Sequence, residues 1–285
     1  MEYRNLSAST LLLLATLLAV VVSCGKKTEE EKIVDAEPVG RLNSELLLEG
    51  DHTIYGLACE GCNDSVVVLL PDDGSDPVTY NALQATRRHK VLGRMRVGDW
   101  IALVSNPQDS TVADLVIDLD ELKGTWCYVV MPRPRGYENM TPAEEARTLA
   151  QMPDTVKEQF LIPREYGFTL KRQWSAQSVG YVRQQTALEE QSPVVYPPLG
   201  YFMEWHILNG QLVMTSGEFR KQEGTEEMVA EPSRQDTCSI ELLTADSLVL
   251  SSDGITRGYY RANKANVNKL AREKAEEQKQ KALAE

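Results

Sequence analysis

Residues 201–216 read YFMEWHILNGQLVMTS, and this stretch decides the fold. It contains two runs of mainly apolar and aromatic residues, separated by Asn209-Gly210. An Asn-Gly pair between such runs is a strong signal for a two-residue hairpin turn, because both central residues of a type I′ turn need a positive φ. The stretch therefore predicts two antiparallel strands, Tyr201–Leu208 and Gln211–Ser216.

The same pattern of short strands and turn residues extends on both sides of this hairpin. The sequence predicts further strands near Glu121–Tyr128, Tyr166–Lys171, Ala176–Arg183, Thr237–Leu243, Ser247–Ser251 and Thr256–Arg261. Residues 121–262 are therefore expected to form an up-and-down β meander. One helix interrupts it, because Thr141-Pro142-Ala143-Glu144 has an N-cap, a first-turn proline and a glutamate three residues after the cap.

Gly124-Thr125-Trp126 opens this unit with the pattern Gly-x-Trp. The pattern resembles the lipocalin-like barrels, whose first strand often begins with this motif at the closed end. The resemblance implies an eight-stranded barrel, which either holds one small ligand or is filled by its own side chains. It also implies that an arginine near the last strand packs over Trp126, and Arg257 or Arg261 could take that place.

Aromatic residues are concentrated in the predicted barrel. Ligand cavities are lined mainly by apolar and aromatic groups, with a few polar groups that orient the ligand. The candidate ligand-binding residues are Trp126, Tyr128, Tyr181, Tyr201, Trp205 and Tyr259. A close-packed interior would need the same residue types, so core packing is the alternative interpretation.

Residues 42–120 show a second series of short strands. The segments are His52–Ala58, Ser65–Leu70, Lys90–Arg94, Trp100–Ser105 and Thr111–Asp118. Turn residues such as Pro71-Asp72-Asp73-Gly74 separate them. This part of the chain is predicted to be a small β domain, an OB-like barrel being the best match.

Cys59-Glu60-Gly61-Cys62 lies between two of these predicted strands. A Cys-x-x-Cys pair can be a redox centre or half of a metal site. A zinc site would need two further ligands, and the three histidines of the chain are scattered. The favoured interpretation is a structural disulfide or inert thiols, with soft-metal binding and thiol redox chemistry as alternatives. No metal is predicted.

Cys127 and Cys238 make up a second candidate pair. Cys127 lies in the first predicted barrel strand and Cys238 in a late one, and a closed barrel brings its first and last strands together. A disulfide between them is the hypothesis, and two buried thiols that never meet are the alternative.

The amino terminus carries the signature of export and lipidation. Residues 10–22 are almost wholly apolar, shorter than the about 20 residues that a spanning helix needs, and Ser23-Cys24 follows them. This context resembles a lipobox, which implies cleavage after residue 23 and acyl chains on Cys24 that anchor the protein to a membrane. The polar tether 24–41 begins with Lys and Glu residues, and resembles that of surface-displayed lipoproteins of the Bacteroidota. We therefore expect an outer-membrane location, with the cell surface favoured over the periplasmic face.

Charge and the missing motifs limit the possible functions. A net charge of −12 argues against nucleic acid as a partner. Residues 263–285 have the composition of a charged helical tail. No nucleophile elbow, metal-binding helix or phosphate loop is present, so neither catalysis nor a cofactor is predicted.

The sequence favours a lipoprotein that binds a small apolar or amphipathic ligand. The alternatives are a structural or assembly factor with filled barrels, and a thiol or soft-metal protein using Cys59 and Cys62.

Overall fold

The computed structural model describes residues 50–183, 191–222, 224, 227–263 and 273. The predicted signal peptide 1–23, the predicted lipidation site Cys24, the predicted tether 24–41 and nearly all of the predicted tail 263–285 lie outside these residues. Within the described part of the chain, no helix is long and apolar enough to span a membrane.

The first β layer is a six-stranded sheet in the order β3-β2-β1-β5-β6-β4. Its strands are β1 (Thr53–Ala58), β2 (Val66–Pro71), β3 (Val78–Asn81), β4 (Val91–Leu92), β5 (Trp100–Ser105) and β6 (Ala113–Asp118). A parallel bridge between Asn81 and Val112 brings the end of β3 to the start of β6, so five strands close on themselves. This topology agrees with the predicted OB-like barrel. Strand β3 and the helix that follows it, Leu83–Arg87, were not predicted from the sequence.

The second β layer is an eight-stranded antiparallel barrel in the order β10-β9-β7-β16-β15-β14-β13-β12. Its strands are β7 (Gly124–Val130), β9 (Arg164–Leu170), β10 (Ala176–Val179), β12 (Tyr201–Leu208), β13 (Gln211–Lys221), β14 (Met228–Leu243), β15 (Ser247–Ser252) and β16 (Ile255–Ala262). Two short strands, β8 (Arg133–Pro134) and β11 (Val194–Val195), pair separately. The predicted up-and-down meander is confirmed, because each barrel strand lies beside its neighbours in the chain.

Two contacts close the barrel. The first and last strands pair directly, with Trp126 opposite Arg261 and Cys127 opposite Tyr260. The seam between β10 and β12 is looser. There the Ser178 hydroxyl donates to the carbonyl of Gly200 at 2.7 Å and accepts from the amide of Phe202 at 2.6 Å.

Short helices connect the strands. They are α1 (Leu83–Arg87), α2 (Leu119–Leu122), α3 (Pro142–Gln151) and α4 (Asp154–Phe160), with 3₁₀ turns at Tyr137–Asn139 and Arg172–Trp174. The predicted start of α3 is confirmed, since Thr141 and Glu144 form a reciprocal capping box. The change from the first sheet to the barrel falls in α2.

The predicted Asn209-Gly210 turn forms, and both residues have a positive φ. Its Asn209 also joins the barrel to the segment before β1. The Asn209 amide donates to the carboxylate of Asp51 at 3.0 Å, and the Asn209 side chain accepts from the amide of His52 at 2.9 Å.

The two β layers share a hydrophobic core. Trp174 lies between Trp100 of the first sheet and Trp205 of the barrel, with ring centroids 4.8 Å and 4.9 Å away. The Tyr55 hydroxyl donates to the carbonyl of Ile207 at 2.8 Å. These contacts tie β1 and β5 to β12.

Trp126 lies at the closed end of the barrel, with none of its surface exposed. Its indole N–H donates to the carbonyl of Leu122 at 2.7 Å. The Arg261 guanidinium lies 4.2 Å from the centre of its ring system. Arg261 also donates to the carbonyls of Lys123 (at 2.8 Å), Glu121 and Ala245. Of the two arginines that the lipocalin resemblance offered, Arg261 is therefore the one that covers the tryptophan.

Replacing Arg261 by alanine should destabilise the protein, because the change removes a cation–π contact and leaves three carbonyls without their donor. We expect the free energy of unfolding, measured by urea denaturation, to fall by about 3 kcal/mol. Arg257→Ala is the matched control, since Arg257 is exposed and contacts only side chains, the phenols of Tyr128 and Tyr259, among the interactions described. Its loss should stay below about 1 kcal/mol. Equal losses for the two variants would contradict the role given to Arg261.

Candidate functional site

The closed half of the barrel is filled by its own side chains. Trp126 and Trp205 are fully buried, as are Leu212 and Leu248 from the facing strands. They belong to the core that the barrel shares with the first sheet. A side chain without exposed surface has no cavity beside it, so the two tryptophans that were predicted to bind ligand pack the core instead.

The other half of the interior contains a network of aromatic rings. Tyr128 meets Tyr166 and Tyr259 edge to face, with ring centroids 6.4 Å and 5.3 Å apart. Arg257 donates to the Tyr128 hydroxyl at 3.1 Å. Burial raises the pKa of both Tyr128 and Tyr259, so both phenols stay neutral at physiological pH. The network offers apolar ring surface together with hydroxyl groups.

A cavity of about 640 Å³ lies at the rim of the barrel, where β9 begins and β10 ends. Described parts of the segments between β7 and β9 and between β10 and β12 line it, the latter at residues 180–182 and 192–199. Five aromatic rings line this rim cavity: Tyr137, Phe160, Tyr166, Tyr181 and Tyr196. Aliphatic and proline residues supply most of the remaining wall, and Glu138, Gln159, Arg164 and Ser192 supply polar groups.

Specific contacts hold the walls of the rim cavity in place. The Tyr196 hydroxyl donates to the carbonyl of Ile162 at 2.6 Å. The Arg164 guanidinium lies 3.9 Å from the centre of the Tyr196 ring. On the opposite inserted segment, Arg133 lies 3.9 Å from the centre of the Tyr137 ring. The cavity is therefore largely formed before any ligand binds, as is usual for small-molecule sites.

The six predicted ligand residues fall in three places. Trp126 and Trp205 are in the core, and Tyr128 and Tyr259 are in the ring network. Tyr181 lines the rim cavity. Tyr201 lies just beyond it, 5.2 Å from Tyr181 between ring centroids.

Most residues of the rim cavity were not predicted from the sequence. Tyr137, Phe160 and Tyr196 come from the inserted segments, which carry no strand pattern. The proline-rich stretch around Tyr196, residues 193–198, was the signal that could have drawn attention to this region.

The four cysteines of the described residues are free thiols. The predicted disulfide between Cys127 and Cys238 is wrong, because β16 and β15 lie between β7 and β14. The prediction assumed that Cys238 lies near the last strand, but it lies on β14, the third strand from the end of the barrel. Burial raises the pKa of the Cys127 thiol to about 12, which makes it a poor nucleophile.

Cys59 and Cys62 are also unbridged. The Cys62 sulfur accepts from the amide of Val68 at 3.2 Å, which gives it a structural role in the turn before β2. Within the described residues, no group of three or more His, Cys, Asp or Glu side chains is placed to hold a metal.

Asp118 at the end of β6 is a buried carboxyl with a perturbed pKa. Its pKa is raised to about 7, mainly by burial away from water and further by Asp99, Asp120 and Glu121. Such groups are candidates for catalysis. Here the carboxylate accepts from the amide of Glu121 at 2.9 Å and caps α2, which accounts for it structurally.

The strand order, the pairing of first and last strands and the Trp126–Arg261 contact define a lipocalin-like β-barrel protein. No protein-family model matches the chain, and no curated protein matches it significantly. Among solved structures, the chain is similar to a lipocalin-like protein from Bacteroides thetaiotaomicron VPI-5482, with 17% sequence identity and a TM-score of 0.25. The match covers 49% of this chain and 95% of the other.

Replacing Asp118 by asparagine should change how stability depends on pH. The folded pKa of about 7 lies above the ordinary value of 3.8, so folding stability is lost as the pH rises between these values. Asparagine keeps the helix cap but does not ionise. The variant should match the parent near pH 4 and exceed it near pH 8 by up to about 4 kcal/mol in the free energy of unfolding. Asp76→Asn, at an exposed position, is the control. A difference between variant and parent that stays constant with pH would rule out this account.

Proposed function

We propose that this protein is an outer-membrane lipoprotein that binds a small apolar or amphipathic molecule in the rim cavity of its lipocalin-like barrel. The observation that carries the proposal is the cavity itself, with its five aromatic rings and its preformed walls. Anchoring and binding are separate parts of the proposal, and each has its own test below.

The chemistry of the rim cavity fits an amphipathic ligand. Its volume of about 640 Å³ lies in the range of about 300–1,000 Å³ that is usual for small-molecule sites. Four of its five rings are tyrosines, which combine an apolar ring with a hydroxyl group. Such a surface can cover an apolar body and still hydrogen-bond a polar end.

We propose binding without chemical turnover. The polar groups whose partners are known serve to hold the walls, since Tyr196 bonds to the chain at Ile162 and Arg164 covers the Tyr196 ring. Groups that are committed to the walls in this way position the cavity and have no free role as acid or base.

The anchoring part of the proposal depends on the amino-terminal sequence. The short apolar segment ending in Val21-Val22-Ser23-Cys24 supports lipidation of Cys24. Two or more acyl chains give stable membrane attachment without a spanning helix. The Lys and Glu residues that follow Cys24 support an outer-membrane location, with the cell surface favoured.

A structural or assembly role is the second candidate function. It is favoured by the filled closed half of the barrel and by the core shared between the two β layers. In that case the outer surfaces of the protein would bind other proteins, and the rim cavity would stay empty in the cell. Native mass spectrometry of protein purified from its own host distinguishes the two functions by the presence or absence of a retained small molecule.

Filling the rim cavity should abolish ligand binding. Val182 lines the cavity, is half-exposed and lies outside the strands, so a larger side chain fits there without disturbing the core. Val182→Trp should weaken the binding of the neutral fluorescent probe N-phenylnaphthylamine by at least about tenfold. Val97→Trp, on the exposed surface of the first sheet, is the control and should bind like the parent. Unchanged binding by Val182→Trp would place the ligand elsewhere.

Removing the acyl acceptor should release the protein from the membrane. Cys24→Ala is expected to abolish incorporation of a labelled fatty acid and to move the protein from the membrane fraction to the soluble fraction. Cys59→Ala, which removes a different thiol, should change neither measurement. If the Cys24→Ala protein is still acylated and sedimented with the membranes, the lipoprotein proposal is wrong.

A further inference from the structure

Glu138 is an exposed acidic residue of the rim cavity, and the charge that acts on it from the protein is that of Arg133, which is already paired with Glu145. It lies in the 3₁₀ turn Tyr137–Asn139 and lines the cavity. Its carboxylate forms no hydrogen bond and no ion pair with the described residues. The geometry points to a ligand that pairs with this carboxylate: an amphipathic cation, with an apolar or aromatic body among the rings and an ammonium group facing Glu138. This inference rests on the proposed function, because it concerns the same cavity.

The arginines near the cavity are already engaged, and one of them, Arg135, donates from its Nε to the carbonyl of Ser192 at 2.8 Å. Arg133 lies over the Tyr137 ring, and its Nε donates to the carboxylate of Glu145 at 2.8 Å. Arg164 covers the Tyr196 ring and has further interactions within the protein. Since Glu145 compensates Arg133 and Arg164 is committed to the wall, Glu138 remains as the charge available to a ligand.

The rings of the cavity suit a cationic group. The face of an aromatic ring attracts a cation, and sites for ammonium ligands are commonly built from several aromatic side chains. Two rings of this cavity already hold a guanidinium at 3.9 Å from their centres. Phe160 and Tyr181 also line the cavity, and no guanidinium covers either ring within the described residues.

The charge of the whole chain favours a cation as well. With 42 acidic and 30 basic side chains, the protein carries a net charge of −12. A field of this sign raises the local concentration of cations and speeds their encounter with the protein.

An anionic ligand fits the cavity less well. A carboxylate would need Arg164 as its partner, and recruiting Arg164 would take the guanidinium from the Tyr196 ring and weaken the wall. The same carboxylate would be repelled by Glu138 and by the net negative charge. The contacts therefore favour the amine over the acid.

Three probes of equal size separate these possibilities. Phenylbutylamine, phenylbutanol and phenylbutyrate have the same aromatic body and differ in the charge of the end group. Isothermal titration calorimetry of the full chain at neutral pH should show that the amine binds about tenfold more tightly than the alcohol, and that the acid binds most weakly. High salt should weaken the binding of the amine and leave that of the alcohol unchanged.

Glu138→Gln tests the residue directly. The variant should lose about three- to fivefold in affinity for the amine and less than about twofold for the alcohol. Glu60→Gln removes the same charge from an exposed turn of the first sheet and should leave both affinities unchanged. Far-UV circular dichroism checks that the variants are folded.

The outcomes separate the inference from the proposed function. If the alcohol or the acid binds as tightly as the amine, or if Glu138→Gln leaves the affinity for the amine unchanged, the cationic ligand class is wrong while the binding function stands. If none of the three probes binds, the rim cavity is not a ligand site, and both the proposed function and this inference fail.

Discussion

The contact between Arg261 and Trp126 is the constraint on which the barrel depends. It joins the last strand to the first at the point where the barrel closes, and it covers one of the two fully buried tryptophans of the interior. A guanidinium beside a buried ring needs polar partners, and the carbonyls of Glu121, Lys123 and Ala245 supply them. Because these carbonyls belong to two separate connections, the end of α2 and the turn between β14 and β15, one side chain holds the strand ends together. The closed half of the barrel can then pack without a void.

Side chains fill the closed end of the barrel, and the cavity lies at the rim. There the wall is built by segments inserted between the strands, and these segments contribute Tyr137, Phe160 and Tyr196. The barrel strands provide the fixed base, with Tyr166 at the boundary between interior and rim. The shape and chemistry of the rim cavity can therefore change through the inserted segments while the barrel stays the same, which is the usual division between a rigid scaffold and variable loops.

The first sheet is part of the same packing arrangement. Trp174 links Trp100 to Trp205, so the core of the barrel continues into the first layer. The Asn209-Gly210 turn shows how one short sequence can serve two purposes. Its positive φ values allow the tight hairpin, and the Asn209 side chain also bonds to the segment before β1. An Asn-Gly pair predicts the turn from local conformation alone, but the partner of its side chain depends on the tertiary fold.

Local signals in the sequence determined most of the secondary structure. Alternating apolar residues gave the barrel strands, Asn209-Gly210 gave the hairpin, and Thr141 with Glu144 gave the start of α3. Strand β3 and helix α1 were missed, because four or five residues are too few to show a period. Only the tertiary structure decided which side chains meet. Strand order separates Cys127 from Cys238, and it places Arg261 over the Trp126 ring. Trp126 and Trp205 are buried in the core, whereas Tyr181 lines the rim cavity. The physical reason is that a repeating pattern assigns a residue to a face of a strand, whereas cavity volume and pairing depend on contacts between residues far apart in the chain.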